Sequence, residues 1–191
     1  DYNIEAGDVA IAIVGRLAPI KNHSFFLKVI EQLLEKGVIN IKVFIVGDGS
    51  EREFIQKKSN SLNKKFGKKI TLTSWVFDIA TFNKGMDIIC LTSDNEGTPV
   101  SLIEAQASGL PVISTDVGGV RDIVLDGESG FITKLGDIET YVEKLRLLVE
   151  NEKLRVKFAA KGRDFVTSRF NYERLAKDIS AYYRELLKKE K

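Results

Sequence analysis

VAIAIVG, at residues 9–15, is the stretch of this 191-residue chain that decides its fold class. Six consecutive apolar residues that stop at a glycine predict a β-strand buried on both faces, which is typical of a parallel sheet. A second run, IKVFIV at residues 41–46, also stops at a glycine, and an amphipathic helical pattern lies between the two. Strands that alternate with helices at this spacing predict an α/β fold, a Rossmann-like three-layer α/β/α sandwich.

The alternation continues along the chain and predicts a mostly parallel six-stranded sheet. Three further strands are predicted at residues 70–76, 87–91 and 111–114, and a turn with a short sixth strand at 127–132. Helices are predicted at residues 51–64, 79–84 and 98–108. Thr98 is expected to cap the last of these helices, with Pro99 at its first position. From about residue 138 we expect helices, with breaks near Asn151 and Asn171. A sheet of this kind binds its ligand at the carboxyl ends of its strands.

The composition narrows the function classes and the compartment. A net charge of +2 is too small to indicate a nucleic-acid partner, and no apolar run approaches the length that crosses a bilayer. The single cysteine, Cys90, cannot form an intrachain disulfide, which fits a reducing, cytoplasmic setting. The only histidine, His23, has no cysteine or second histidine near it in the sequence, so a metal site built on histidines is not expected.

One local run of the sequence is strongly basic. It consists of Lys57, Lys58, Lys64, Lys65, Lys68 and Lys69. The simpler interpretation is the solvated face of a helix, followed by a turn. The alternative is a patch that leans toward an anionic membrane surface.

Two common phosphate-binding motifs are absent. The turn Gly47-Asp48-Gly49 is followed by Arg52 where a dinucleotide fingerprint needs a third glycine. No segment has the spacing of a P-loop. A phosphate site in this chain therefore has to be built differently.

Charged residues follow the first and fourth predicted strands, at the edge where the ligand is expected. Arg16 and Lys21 place two cations in one short loop, where a diphosphate would need them. After the fourth strand, Glu96 precedes the predicted helix and Glu104 lies nearly two turns inside it. The helix N-terminus between them offers free N–H groups and a positive dipole end. Glu104 suits a pair of ribose hydroxyls, and a solvated helix position is the alternative.

Glu96 and Glu104 have the spacing of the Glu-x7-Glu motif of the GT-B fold retaining glycosyltransferases of group 1 / family 4. Further segments resemble that family in the same order along the chain: residues 15–17 with Lys21, 46–49, 104–113, 116–120 and 126–131. The resemblance spans essentially the whole chain. It corresponds to the C-terminal, donor-binding half of the GT-B fold.

The resemblance implies roles for individual residues. Arg16 and Lys21 would neutralise the donor's diphosphate and stabilise the leaving group, while Glu96 would contact the transferred sugar; these three are the implied catalytic residues. Glu104 would bind the ribose hydroxyls. The implied donor site consists of Gly15, Arg16, Lys21, Gly47, Ser74, Trp75, Val76, Glu96, Gly97, Thr98, Pro99, Val100 and Glu104.

The resemblance also implies that the segment Ser74 to Val76 contacts the nucleobase. Ser74 departs from the family pattern there. A glycine is common at its position. Trp75 is interpreted as a core or rim aromatic rather than a residue that stacks on the base.

The resemblance also implies what the whole protein does and how the chain divides. The donor would be a UDP-sugar, less favourably a GDP-sugar, for retaining transfer to an acceptor held mainly by an N-terminal domain, without a metal or other cofactor. Residues 1–8 are interpreted as a linker remnant and 9–170 as the nucleotide-sugar-binding domain. Residues 171–191 form a helix whose apolar stripe packs either on the N-terminal domain or on its own domain. The chain alone is expected to be inactive.

The setting implied by the resemblance is bacterial polysaccharide or lipopolysaccharide assembly. The full enzyme would be cytoplasmic, with peripheral association at the inner face of the membrane as a further expectation. Two other functions remain open: an epimerase of the UDP-N-acetylglucosamine 2-epimerase type, and a noncatalytic module that binds nucleotide sugars or a protein partner. A glycosidase is disfavoured because it has no use for the Arg16 and Lys21 loop.

Overall fold

The computed structural model describes residues 4–189 and contains a six-stranded sheet in which all strand pairs are parallel. The strands are β1 Val9–Val14, β2 Ile41–Val46, β3 Ile70–Leu72, β4 Ile88–Leu91, β5 Val112–Thr115 and β6 Gly130–Thr133, in the order β3-β2-β1-β4-β5-β6. The order reverses at β1, so β1 and β4 flank the crevice where this class of sheet binds ligands. Residues 1–3 of the predicted linker and 190–191 of the predicted C-terminal helix lie outside the described residues.

Eight α-helices cover the sheet or extend from it within the described range. They are α1 His23–Glu35, α2 Arg52–Phe66, α3 Ile79–Asn83, α4 Val100–Ala107, α5 Val120–Ile123, α6 Ile138–Glu150, α7 Glu152–Arg169 and α8 Tyr172–Lys189. A single 3₁₀ turn, Pro19–Lys21, precedes α1. The predicted breaks near Asn151 and Asn171 are confirmed, whereas the 3₁₀ turn and α5 were not predicted because elements this short leave no periodic pattern.

Strand β1 shows how the sheet divides the core in two. Ile11 and Ile13 belong to the larger core, which α1, α2, α6 and α7 close on one face. Ala10 and Ala12 belong to the second core, under α3, α4 and α5. Each fully buried Val, Leu, Ile or Phe stabilises the fold by about 1.5–3 kcal/mol. Because helices cover both faces of the sheet, a ligand can reach it at the ends of its strands.

Two predicted boundaries are wrong. Strand β3 ends at Leu72, which pairs with Ile45, and not at residue 76, because β2 ends one residue later at Val46 and gives residues 74–76 no strand to pair with. Helix α4 begins at Val100, with Pro99 in the N-cap position, φ −73° and ψ 99°, and no side chain caps it. Thr98 is therefore not the cap, because the residue with extended backbone geometry is Pro99.

Helix α8 has an apolar stripe that the rest of the described chain does not cover. From 172 to 188 every side chain is exposed. The stripe consists of Tyr172, Leu175, Ile179, Tyr182, Tyr183, Leu186 and Leu187. Packing of this stripe on its own domain, one of the two predicted arrangements, is wrong for this structure. Packing on an N-terminal domain stays a prediction.

Candidate functional site

The loops that follow β1, β2, β4 and β5 meet at one end of the sheet, which we call the carboxyl edge; they span residues 15–22, 47–51, 92–99 and 116–119. At their centre, Lys21 Nζ lies 2.5 Å from Glu96 Oε1, although the two residues are 75 positions apart. The Ser93 hydroxyl donates to the same carboxylate oxygen at 2.6 Å. The Glu96 side chain is only 10% exposed. The structure thus brings together two of the three residues that were predicted to be catalytic.

A network of hydrogen bonds holds the β1 loop against the β4 loop. The Thr92 hydroxyl donates to the carbonyl oxygens of Lys21 and Asn22, at 3.1 and 3.2 Å. The Asp94 N–H donates to the carbonyl of Ile20 at 2.9 Å, and Asn22 Nδ2 donates to the Asp94 carboxylate at 2.7 Å. Asn22, with φ 47°, also accepts from the N–H of Phe25 and caps α1. Lys21 and Glu96 are therefore positioned by the backbone of both loops.

Arg16 is the second cation of the β1 loop and differs from Lys21 in being exposed. Its guanidinium forms no ion pair or hydrogen bond with the described residues. The loop around it is nevertheless ordered, because the Gly15 N–H donates to Val46 O at 3.0 Å and the Leu17 N–H donates to Asp48 O at 2.9 Å. Arg16 is thus an unpaired cation held at the same edge as Lys21.

Glu104 lies on α4, half-buried, with no partner for its carboxylate among residues 4–189. Desolvation by burial raises the pKa of this carboxyl group. A half-buried carboxylate without a partner is costly, and hydroxyl donors would relieve that cost. Both predicted roles of Glu104, ribose binding and a solvated helix position, stay predictions.

The N-terminus of α4 lies between Glu96 and Glu104 and is open. Gly97 and Thr98 are exposed, Pro99 is buried, and Val100 is 60% exposed. Since no side-chain oxygen caps this helix, its first N–H groups and positive dipole end are available to an anion or a hydroxyl.

Two glycines allow the loops to touch backbone to backbone. A Cβ on Gly47, φ 139°, would collide with the carbonyl oxygen of Gly15. A Cβ on Gly118, φ 49°, would collide with the carbonyl oxygen of Glu96. Gly118 was not among the predicted site residues, although the family resemblance covered its segment.

The segment Ser74 to Val76 lies beside the turn after β2. Trp75 is 55% exposed, so it is a rim residue and its interpretation as a core residue is wrong. Val76 packs against the core beneath α4. The Ser74 hydroxyl donates to Asp48 Oδ2 at 3.4 Å, which ties this segment to the turn. Arg52 Nη1 links the preceding Thr73 O to Gly47 O, at 3.2 and 3.4 Å.

His23, at the start of α1, is fully buried, and neither ring nitrogen has a hydrogen-bond partner among the described residues. Burial, together with the nearby charge of Lys21, lowers the pKa of His23 to about 4. The imidazole is therefore neutral near pH 7. In the described range no group of three or more His, Cys, Asp or Glu side chains is arranged to hold a metal ion.

Comparison with known proteins identifies the family. Residues 1–165 match the family described as Glycosyl transferases group 1. The chain belongs to this family. It forms the C-terminal domain of the GT-B fold of a group 1 glycosyltransferase, and this confirms the predicted membership of group 1 and the Rossmann-like α/β/α fold.

Two curated relatives of this group 1 domain come from bacteria. The capsular polysaccharide biosynthesis glycosyltransferase CapM of Staphylococcus aureus is 30% identical over 178 residues, which cover 93% of this chain and 46% of CapM. The UDP-Gal:α-D-GlcNAc-diphosphoundecaprenol α-1,3-galactosyltransferase of Escherichia coli is 28% identical over 96% of this chain and 47% of the relative. The chain thus spans about half the length of these relatives.

Two solved structures resemble the group 1 domain. The C-terminal domain of the group 1 family protein LpcC from Francisella tularensis is 26% identical, with a TM-score of 0.77, and the match covers 87% of this chain and 88% of that domain. A variant of S. aureus TarM, solved with fondaparinux, α-GlcNAc-glycerol and UDP, has a TM-score of 0.82 at 24% identity. That match covers 90% of this chain and 34% of TarM. Within residues 4–189 no helix of the group 1 domain has the length and apolarity needed to traverse a bilayer.

Proposed function

We propose that this chain is the donor-binding half of a glycosyltransferase that uses a nucleoside diphosphate sugar. The observation that carries the proposal is the contact of Lys21 with Glu96 at the carboxyl edge. It joins a cation suited to phosphate and a carboxylate suited to sugar hydroxyls. The unpaired Arg16 and the unpaired Glu104 lie on the same two loop–helix segments, and they leave one further charge for the diphosphate and one for the ribose.

The chemistry follows from the charges that develop when the bond between the anomeric carbon and the diphosphate breaks. Negative charge grows on the diphosphate, where Lys21, Arg16 and the open N-terminus of α4 stabilise it. Glu96 accepts a hydrogen bond from a hydroxyl of the transferred sugar and so fixes the orientation of the sugar. Retention of the anomeric configuration is part of the proposal and rests on the family resemblance.

A UDP-sugar is the donor we favour. The E. coli relative is named for UDP-Gal, and the TarM structure contains UDP. In this chain the segment Ser74 to Val76 and the turn at Gly47, joined by the hydrogen bond from Ser74 to Asp48, would frame the base. We further propose that binding needs no metal, since two cations and a helix N-terminus are available for the phosphates.

The acceptor is proposed to bind an N-terminal domain that this chain does not contain. The chain matches only about half of its relatives, and the exposed stripe of α8 offers that domain an apolar surface. The chain alone would then bind donor without completing transfer. We propose that the full enzyme acts in the cytoplasm, at the inner face of the membrane, in the assembly of bacterial surface polysaccharides.

Calorimetric titration of the purified chain with UDP, GDP and ADP tests the proposal. We expect UDP to bind best, with about tenfold or greater loss in Arg16→Ala and in Glu104→Ala, because each removes a charged hydrogen-bonding group worth about 1.5–3 kcal/mol. Binding should be unchanged by EDTA. Arg163→Ala and Glu143→Ala, which remove exposed charges from α7 and α6, are the matched controls. Absence of nucleotide binding, or variants that bind like the parent, would contradict the proposal and favour a noncatalytic interaction module.

A further inference from the structure

The carboxylate of Glu96 is bound asymmetrically. Both of its protein donors, Lys21 Nζ at 2.5 Å and the Ser93 hydroxyl at 2.6 Å, contact Oε1. Oε2 has no partner within the described part of the chain. The protein therefore holds one oxygen of the carboxylate and leaves the other for a ligand.

Ser93 is suited to hold this carboxylate in place. Ser93 is buried, at 1% exposure, so bulk water cannot replace Glu96 as the hydrogen-bond partner of its hydroxyl. Its own carbonyl accepts a hydrogen bond of 2.7 Å from the hydroxyl of Thr115, which is equally buried at the end of β5. The donor atom that orients Glu96 is thus anchored to the sheet.

The backbone around Glu96 is equally constrained. The carbonyl of Glu96 packs against Gly118, and the carbonyl of Gly97 accepts a hydrogen bond of 2.8 Å from the N–H of Gly119. The main chain at Glu96 therefore cannot shift alone. Only the χ angles of Glu96 remain free, and the hydrogen bond from Ser93 restricts them.

We propose that Ser93 is a positioning residue that fixes Glu96 before the donor binds. Oε2 is then oriented to accept a hydrogen bond from a hydroxyl of the sugar. This inference rests on the proposed function. Without the Ser93 hydroxyl, only Lys21 holds the carboxylate. The carboxylate plane can then tilt away from the sugar, and sugar binding has to order it. Removal of the hydroxyl should therefore weaken the binding of UDP-sugars and leave the binding of UDP unchanged.

The test compares UDP with UDP-glucose, UDP-galactose and UDP-N-acetylglucosamine, by calorimetry on the chain and on Ser93→Ala. The measured quantity is the ratio of the Kd for UDP to the Kd for each UDP-sugar. We expect Ser93→Ala to lower this ratio about fivefold for at least one sugar, the net size of one ordinary hydrogen bond, with less than a twofold change in the Kd for UDP. Ser59→Ala removes another fully buried serine hydroxyl, one with no partner, and should change neither.

A double-mutant cycle separates positioning from a loss of folding. In the Glu96→Ala background, Ser93→Ala should have no further effect on the ratio, because the group that it positions is gone. The inference is overturned if Ser93→Ala leaves all three ratios unchanged, weakens UDP and UDP-sugars by the same factor, or acts additively with Glu96→Ala. A parent chain that binds no UDP instead contradicts the proposed function itself.

Discussion

Around Glu96 the protein is packed tightly, whereas around helix α8 it is open. At the carboxyl edge, Ser93 and Thr115 are each 1% exposed, and the loops touch backbone to backbone at Gly47 and Gly118. Along α8 every described side chain is exposed, although its apolar stripe has the pattern of a buried helix. The first region is covered by other parts of the chain, whereas the apolar stripe of the second is exposed in the described residues. The chain spans about half the length of its relatives, and the proposed N-terminal domain would cover that stripe.

Among the changes considered for these two regions, we expect Gly118→Ala to destabilise the packed region most. A Cβ there collides with the carbonyl of Glu96 and requires φ 49°, so we expect a loss of about 3 kcal/mol in the free energy of unfolding. Gly136→Ala is the matched control: its φ is 79°, but nothing lies within 4 Å of the added Cβ, and it should cost about 1 kcal/mol. Urea unfolding measures both. Equal losses would show that the close approach at Glu96 has no energetic weight.

A change of pH should weaken the same region by a somewhat smaller amount. The pKa of His23 is about 4 in the folded chain and about 6.5 when unfolded. The unfolded chain therefore binds the proton first, and the stability that neutral His23 contributes is present above pH 6.5 and lost as the pH falls toward 4.

Comparing the parent with His23→Gln isolates this effect, because both share all other titrating groups. Between pH 7 and pH 4.5 the parent should lose about 2 kcal/mol more unfolding free energy than the variant. Urea unfolding at the two pH values provides the measurement. The same loss in both proteins would mean that His23 is not desolvated in the folded state.

The smallest effect is expected on α8. Replacing Leu175 and Ile179 together by alanine should change the stability of this chain by less than about 0.5 kcal/mol, because both side chains are exposed and alanine favours a helix. Ile30→Ala on α1, where the side chain is fully buried, should cost about 2–5 kcal/mol. If the α8 variant costs more than 1 kcal/mol, the helix packs on its own domain and the contrast fails.

The residues that could be predicted were those whose partners are dictated by the sheet. The bounds of β1 and β2 followed from apolar runs that stop at glycines, and Lys21 and Glu96 were expected at one edge because both follow parallel strands. The end of β3 was overestimated, since its length depends on where the neighbouring strand β2 stops. The pattern around Leu72 carries no trace of that limit.

Two features were beyond sequence reasoning for physical reasons. The bond of Ser93 to Glu96 depends on side-chain geometry at the exit of β4, and a serine three residues before a glutamate is too common to signal it. The covering of the α8 stripe could not be decided either. An apolar stripe with helical spacing looks the same whether its own domain or another domain buries it.

The backbone contacts at Gly47 and Gly118 have a consequence for motion. Because they join the β1 loop to the β2 turn and the β4 loop to the β5 loop, and the network at Asn22 joins the two pairs, these four loops can only move as one rigid block. A ligand that arrives there can reorient exposed side chains such as Arg16, but it cannot remodel one loop by itself. A substrate that binds at the carboxyl edge would therefore meet loops that are already in place.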